Sequence, residues 1–562
     1  MRNIKQYMIA ACTLLALNGC DYLDYDETTG RTQEEVYSYF DNMNSLVANI
    51  YSVLPVDFGR VSDAMMESAT DNSVYTWENN SIYYLTDGTW SPLKRVDDGW
   101  GFWTGIRSAN SFLENYDPEV LKRFEYNEDY ADMMAKASKF SYEVRFLRAF
   151  YLFELAKRYG DIPLVTRTYT QEEINSIEKT PFVEVIDYIA KECSEIALEL
   201  PADQSEVRNE TGRVTKGAAL ALKSRALLYA ASALHNPDND PTRWEAAAKA
   251  AYEVIAMSKY QLPKITADEL YSDKGGHEVL KSKQLIFERR ATGKTNDFES
   301  RNEPMGYESA EGGNTPTQNL VDAYELKDGT PFSWDNPVHV SNIYYDAEGK
   351  QTRDPRLYLN VLTNGATWLK QKVETFEGGK NKILDGSTKT GYYLRKYMNP
   401  SVSLDPDKPN KLEHHYILFR YAEILLNYAE AMNEWKGPDA MAEGCPLTAR
   451  EALNQVRNSA DMKAVTATGT EFTEKVRNER RIELAFEGHR FYDIRRWKIA
   501  GTDKVRNIYG VKITGSDGSF SYEKVLLRQT YWDDKMYLFP YPQNEVYINP
   551  NLTQNPGWVG DK

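Results

Sequence analysis

Apolar residues recur at helical spacing over most of the first 260 positions and again between 413 and 500. Residues 33–54 form one candidate helix and residues 130–159 a longer one. In the longer one Val144, Leu147, Tyr151 and Leu155 mark one face, and Phe146, Ala149 and Phe153 mark another. A helix that is apolar nearly all round is buried between neighbours. Gly160 and Pro163 end it. Residues 181–200 start with Pro181 at the first helical position, where a missing N–H is harmless. Residues 214–234 and 242–258 are rich in Ala, and small side chains let helices approach closely. Leu418, Tyr421, Leu425, Tyr428 and Met432 follow a three-four spacing that predicts an amphipathic helix over 413–436. Two further helices are expected at 447–458 and 471–499.

The middle of the chain, about 260–412, loses this period. It is rich in Gly, Asn, Asp, Thr and Tyr. Turn signals such as Lys327-Asp328-Gly329, Glu377-Gly378-Gly379 and Asp385-Gly386 separate short strand-like pieces. The tail, 505–562, reads as strand and loop. The predicted class is mainly α: a tetratricopeptide-like scaffold of helical pairs with a loop-rich insertion carrying short strands. No literal repeat signature is present, so the succession of helix lengths carries this reading. Helices from both ends enclose the middle, and residues 36–562 are read as a single domain. Its parts are a helical scaffold at 36–260 and 413–500, the loop-rich insertion at 261–412, and a C-terminal strand and loop segment at 501–562.

Composition adds exclusions. A hydrophobic fraction of 41% supports a sizeable core. The net charge of −16 argues against a nucleic-acid partner, which needs a basic surface for phosphate. Four cysteines in 562 residues exclude a disulfide scaffold. At the N-terminus Arg2 and Lys5 precede an apolar run at residues 8–17, too short to span a bilayer. The run ends in Leu17-Asn18-Gly19-Cys20, which resembles a bacterial lipobox. Residues 1–19 are therefore read as a signal peptide, Cys20 as the lipidated first residue, and residues 20–35 as an acidic tether. Cys193 and Cys445 are read as free thiols, with a bridge between them as the alternative.

Motif chemistry is sparse. No phosphate-binding loop, zinc-protease helix, serine-hydrolase elbow or paired-cysteine motif occurs. Six histidines are scattered apart from His414-His415, which weakens any case for imidazole catalysis. No metal or cofactor is expected. Residues 478–490 are the exception in density of charge. Glu479, Glu483 and Glu487 fall on one helical face, and two such carboxylates serve a glycoside hydrolase when they flank a sugar bond. Arg480, Arg481, Arg490, Arg495 and Arg496 stand close by, and such interleaving builds ion-pair networks between helices. The network is the reading taken, with His489 as a packing residue.

Continued through Phe491-Tyr492-Asp493-Ile494-Arg495-Arg496-Trp497, this run resembles the C-terminal hallmark of the SusD/RagB family, outer-membrane lipoproteins of Bacteroidetes polysaccharide-utilisation systems. Further segments match in order: EVRFLRAFYLFELAKRYGDIPLV at 143–165, GRVTKGAALALKSRALLYAASALHNP at 212–237, NTPTQNLVDAYELKDGTPF at 314–332, RDPRLYLNVL at 353–362, YILFRYAEILLNYAEAMNE at 416–434 and LFPYPQNEVYINPNLTQNPGW at 538–558. The resemblance implies a helical scaffold with a variable, loop-rich, glycan-binding face, no catalysis and no cofactor. It implies a SusC-like TonB-dependent transporter as partner and a lipid-anchored place in the outer membrane, facing the cell exterior. A peptide-binding member and a lipid-anchored glycoside hydrolase are the alternatives.

Sugar recognition requires a flat aromatic against the C–H face of the ring and planar polar groups for the hydroxyls. Residues 71–90 hold Tyr75, Trp77, Tyr83 and Tyr84 among Asp71, Asn72, Asn79 and Asn80. Trp77 is the expected platform. Asp71 and Asn72 are expected hydroxyl partners, with helix capping as their alternative role. Trp90 resembles a recurring scaffold residue of the family. The insertion adds Tyr307, Trp334, Trp368 and Arg395 as candidate contacts, with packing beneath a loop as the alternative for each Trp.

Overall fold

The computed structural model describes residues 32–207, 211–264, 278–290, 293–382, 386–516 and 518–558. The segment read as a signal peptide, Cys20 and most of the segment read as a tether lie outside these residues. The chain divides into two compact units. Among the described residues, the smaller comprises those up to 49 with 115–140, and the larger those within 50–114 and 141–562. In the smaller unit Phe40 stacks on Phe140, and Arg123 lies over the rings of Tyr39 and Phe124.

The larger unit is built on helices Phe182–Ile196, Lys216–Ala231 and Pro241–Ala256, each packed on the next. Tyr421–Lys436 lies against the last two and also packs on Ala449–Ser459 and Gly469–Glu483. Caps set the starts. Thr215 accepts from Ala218 N, Asp240 accepts from Thr242 N ahead of Pro241, and Thr448 forms a capping box with Glu451. The mainly helical class follows from these elements. Tyr130–Tyr159 has the bounds read from the sequence.

Several expected bounds change. Residues 33–54 hold two helices, Gln33–Tyr37 and Phe40–Tyr51. Pro181 is the cap before Phe182, one place earlier than expected. The helix expected over 413–436 starts only at Tyr421. His415–Arg420 is a strand, buried at every position and paired antiparallel with Leu285–Arg290, so Leu418 belongs to a sheet. A short apolar run next to a helix does not reveal its own period. The helix expected over 471–499 breaks after Glu483, where Phe486 and Gly488 take φ of 62° and 75°, and resumes as Arg490–Arg496. The tail holds a long hairpin, Asn507–Ser516 with Ser519–Gln529, bulged between Leu526 and Arg528. Cys193 and Cys445 are buried and unbridged.

Close packing makes one glycine indispensable. Gly105, inside the Phe102–Asn115 helix, faces the Tyr151 ring, and a Cβ there would stand 2.6 Å from it. Tyr151 is fully buried and its hydroxyl donates to Ile50 O, so the ring has nowhere to go. Gly105→Ala should therefore destabilise by about 1–3 kcal/mol, because overpacking exceeds the helix-propensity gain of at most about 1 kcal/mol. Thermal unfolding of the variant checks the sign; a rise in midpoint would refute it.

Candidate functional site

The carboxylates of the dense run are committed to buried ion pairs. Glu483 accepts from Arg420 at 2.6 Å and Arg356 at 2.8 Å. Glu487 accepts from Arg420 at 2.7 Å and Lys396 at 2.6 Å, and Glu479 pairs with Arg356 and Arg457. Arg496 joins Asp493 to Glu430, and Arg225 holds Glu423. Burial alone would raise the Glu483 carboxyl, but Arg420 and Arg356 outweigh it and hold it at about 2. Glu430 is held at about 2 by Arg496, and Glu154 at about 2 by Lys157 and Arg158, against the same opposing burial. A general acid must keep its proton near neutral pH, so this cluster is scaffold. His489 is buried within it, and burial followed by Arg225 and Arg480 pushes its imidazole far down.

These depressed carboxyls set an acid limit. Each contributes stability above its unfolded value of 4.5, and that contribution disappears as pH falls towards 2. Urea unfolding at a series of pH values should show a steep loss of stability between about pH 4.5 and 2. A flat profile across that window would contradict the network.

A second cluster faces solvent. Strands Ser73–Tyr75 and Asn314–Pro316 pair antiparallel in register Tyr75↔Asn314, buried throughout. Thr76 N donates to Gly313 O at 2.8 Å, which extends the pairing by one step. The loops 76–81 and 303–313 therefore emerge side by side. Trp77 is 40% exposed at this mouth. Its indole N–H donates to Glu311 O at 3.0 Å. Gly386 lies under its far edge, so close that a Cβ would sit 2.4 Å from the ring. The ring is thus immobilised before any ligand arrives, which lowers the ordering cost of binding.

Tyr307 continues the face. Its hydroxyl donates to Trp368 O at 3.2 Å, and Asn381 Nδ2 donates to Met305 O at 2.7 Å, so the 303–307 loop is tied to the Thr367–Trp368/Gln371–Lys372 hairpin and to the 380s loop. Backbone strain collects around the same loops. Ser62, Asp63, Ser309, Leu369 and Lys370 all hold left-handed φ without being glycine. Such strain persists where the surrounding structure fixes it, commonly at binding sites. Glu78 and Asn79 on the first loop and Glu308 and Glu311 on the second are exposed.

The other expected residues lie elsewhere in this geometry. Asp71 and Asn72 are 1% and 0% exposed, and protein groups occupy their polar atoms. Arg490 grips Asp71 with two bonds of 2.8 Å, and Arg481 adds an ion pair at 2.9 Å. Burial opposes the Asp71 charge, but the two guanidiniums hold its carboxyl below the usual range. Asn72 donates to Glu67 and accepts from Arg481 Nε at 2.7 Å. Both therefore anchor the Arg-rich segment to the loop and offer nothing to a ligand. Tyr75 and Trp368 are 3% exposed and pack beneath the face. Asn80 donates to Ser62 O and accepts from Ile82 N, which makes it a loop clasp. Tyr83 is half-buried, donates to Tyr75 O and lies under Arg528. Arg395 donates to Tyr358 O and stands 6.0 Å from the Trp368 ring. Trp334 donates to Asp322 at 3.0 Å on another part of the insertion. Trp90 is buried between Phe539 and Trp558 as a scaffold ring. Glu311 and Gly386, which position Trp77, were not singled out in the sequence. Gly386 stood there as a turn signal.

Two family models cover most of the chain: one described as the SusD family at residues 283–558, and one described as "Starch-binding associating with outer membrane" at residues 21–228. The chain belongs to the SusD family. A solved SusD-like protein of Bacteroides fragilis is 27% identical, with a TM-score of 0.75, over 95% of this chain and 99% of that one. A SusD-like carbohydrate-binding protein of the same species is 25% identical, with a TM-score of 0.73, over 92% and 100%. A SusD-like protein of Formosa agariphila is 23% identical over 98% of both chains. The SusD-like architecture seen in these solved structures is the helical scaffold described above. Among the described residues, no helix is long and apolar enough to cross a membrane.

Proposed function

We propose that this SusD-family protein binds oligosaccharide on the Trp77–Tyr307 face without cleaving it and passes it to a SusC-like TonB-dependent transporter. In this reading Cys20 carries the lipid that holds the chain on the outer membrane, facing the exterior. The observation that carries the glycan part is the half-exposed Trp77 ring, fixed by Glu311 and Gly386 among polar groups. A saccharide needs such a rigid apolar plate with acceptors at its edge. The carbohydrate-binding relative of Bacteroides fragilis and the starch-binding family model support the same class of ligand. The hydrolase reading would need a carboxyl that reaches the ligand and keeps its proton near neutral pH. Glu303, beside Tyr307 in sequence, is pushed up to about 7 by burial and then by Glu299, but it is only 2% exposed.

The test is calorimetric titration of the mature chain against a panel of polysaccharides and oligosaccharides, with spent samples checked for shortened products. Saturable binding with intact ligand is the expected result. Shortened products would replace the reading with a hydrolase. Binding of peptides and of no saccharide would replace it with a peptide carrier. Membrane attachment is tested separately: Cys20→Ser should release the protein from the outer-membrane fraction.

A further inference from the structure

The arginines of the dense charged run are paired with carboxylates, with one exception. Arg480 and Arg496 hold Asp493, Arg496 also holds Glu430, and Arg481 and Arg490 hold Asp71. Arg495 is 5% exposed, and among the described residues it has no carboxylate within ion-pairing distance. Its Nε donates to Met536 O at 3.2 Å and its Nη1 to Phe491 O at 2.9 Å, and the guanidinium lies 3.4 Å from the centre of the Phe491 ring. Nη2 has no acceptor among the described residues. Arg353 is also buried without a carboxylate, but each of its three nitrogens donates to a backbone carbonyl. Arg495 is left one acceptor short of that arrangement. Burial, opposed by the Tyr492 and Tyr537 hydroxyls, pushes its guanidinium down to about 9, so it is charged at neutral pH.

Arg495 borders a cavity of about 20 Å³, which is room for one water-sized particle. Leu85, Ile494, Ala500 and Val505 give the cavity much of its lining and bring no charge to it. Asp71 borders it too, but two guanidiniums occupy its carboxylate, so that group of three is net positive. Arg528, which donates to Thr86 on the lining, is balanced by Asp87. Asp534 accepts from Trp532 Nε1 at 3.2 Å and makes no ion pair with Arg495. A buried charge is costly unless it is paired, and the contact with the Phe491 ring offsets only part of that cost.

We propose that this cavity binds a small monovalent anion of halide size, chloride in physiological solution, as the counterion of Arg495. One atom fills the space, and a halide is hydrated weakly enough to lie against apolar side chains. Sulfate and phosphate are too large for it. The bound ion fastens Thr70 and Asp71 to the segment 494–505 and to the 530–532 loop, all of which border the cavity. This site is separate from the Trp77–Tyr307 face, and it stands whatever ligand that face takes.

The test begins with crystals of the mature chain soaked in sodium bromide and measured at the bromine absorption edge. An anomalous peak in the cavity, within hydrogen-bonding reach of Arg495, is the expected result. In solution, urea unfolding is followed as gluconate, which cannot enter the cavity, is replaced by chloride at constant ionic strength. At about ten times the chloride dissociation constant the ratio of folded to unfolded protein should rise about elevenfold, and the gain should saturate. Arg495→Met keeps an unbranched stem and removes the charge. Ala500→Leu fills the cavity and keeps the charge. Each should lose the chloride gain, and the second serves where the first does not fold; the bromide measurement needs neither. A cavity without a bromine peak overturns the proposal, and so do equal unfolding midpoints in the two salts. A chloride gain that persists in either folded variant puts the anion elsewhere and overturns it as well.

Discussion

Arg420→Ala should cost about 3–5 kcal/mol of stability, the usual range for removing one partner of a buried ion pair. Arg420 is 1% exposed, and its guanidinium donates to Glu483 Oε1, Glu487 Oε1, Glu487 Oε2 and Glu483 O at 2.6–2.8 Å. Truncation leaves two buried carboxylates with only Arg356 and Lys396 to balance them. The loss comes from uncompensated charge more than from the worth of the pair itself, so it must depend on pH. Near neutral pH both carboxylates are ionised and the deficit is full. The wild-type Glu483 carboxyl titrates at about 2 against 4.5 unfolded. Without Arg420 it titrates higher, so protonation relieves the variant first. The gap between variant and wild type should narrow as pH falls through about 4.5. Urea unfolding at pH 7 and pH 3.5 reads both quantities. An equal deficit at the two pH values would show that lost packing, not charge, sets the cost. Arg420→Lys should recover only part, because a point charge cannot reproduce the two-pronged contact.

Trp77→Ala should weaken glycan binding at least about tenfold while leaving the fold intact, since stacking plus burial of one large aromatic exceeds 1.4 kcal/mol. The ring is 40% exposed and its one hydrogen bond goes to a solvent-facing carbonyl. Its removal therefore opens no cavity in the core. Trp77→Phe keeps a flat face but loses the bond to Glu311 O, so it should retain part of the affinity. Calorimetry on the best ligand of the panel, with melting curves alongside, decides the matter. Unchanged affinity in Trp77→Ala would move the site away from this loop.

The helices were readable because their signal is local. The 130–159 helix has period, length and stop residues within its own span, and the structure keeps its bounds. The Phe102–Asn115 helix was overlooked although Phe102, Ile106, Ala109 and Phe112 mark one buried face. His415–Arg420 was misread because a fully buried strand and a buried helix start with the same apolar content. At the site, the limit is distance along the chain. Trp77 and Trp368 are the same residue type in similar loop-rich sequence, yet one is exposed and the other lies beneath Tyr307. Asp71 and Asn72 carry groups suited to a sugar, but Arg481 and Arg490 claim them from more than 400 positions away. No local pattern announces that claim. The Glu/Arg run was legible as a network because its density of opposite charge already exceeds what a ligand would use.

The grip of Arg490 on Asp71 also bears on how the molecule is made. The loop that carries Trp77 is among the first parts synthesised, yet its anchor is separated from it by 419 residues. The segment 71–80 therefore lacks this fastening until residue 490 has been made, although its pairing with Asn314–Pro316 needs the chain only as far as residue 316. Contacts of such long sequence separation are slow to form, because chain entropy must be lost before they stabilise anything. Fastening of the loop that carries Trp77 should then be a late event in folding, and a chain that stops before residue 490 lacks the Arg490–Asp71 anchor.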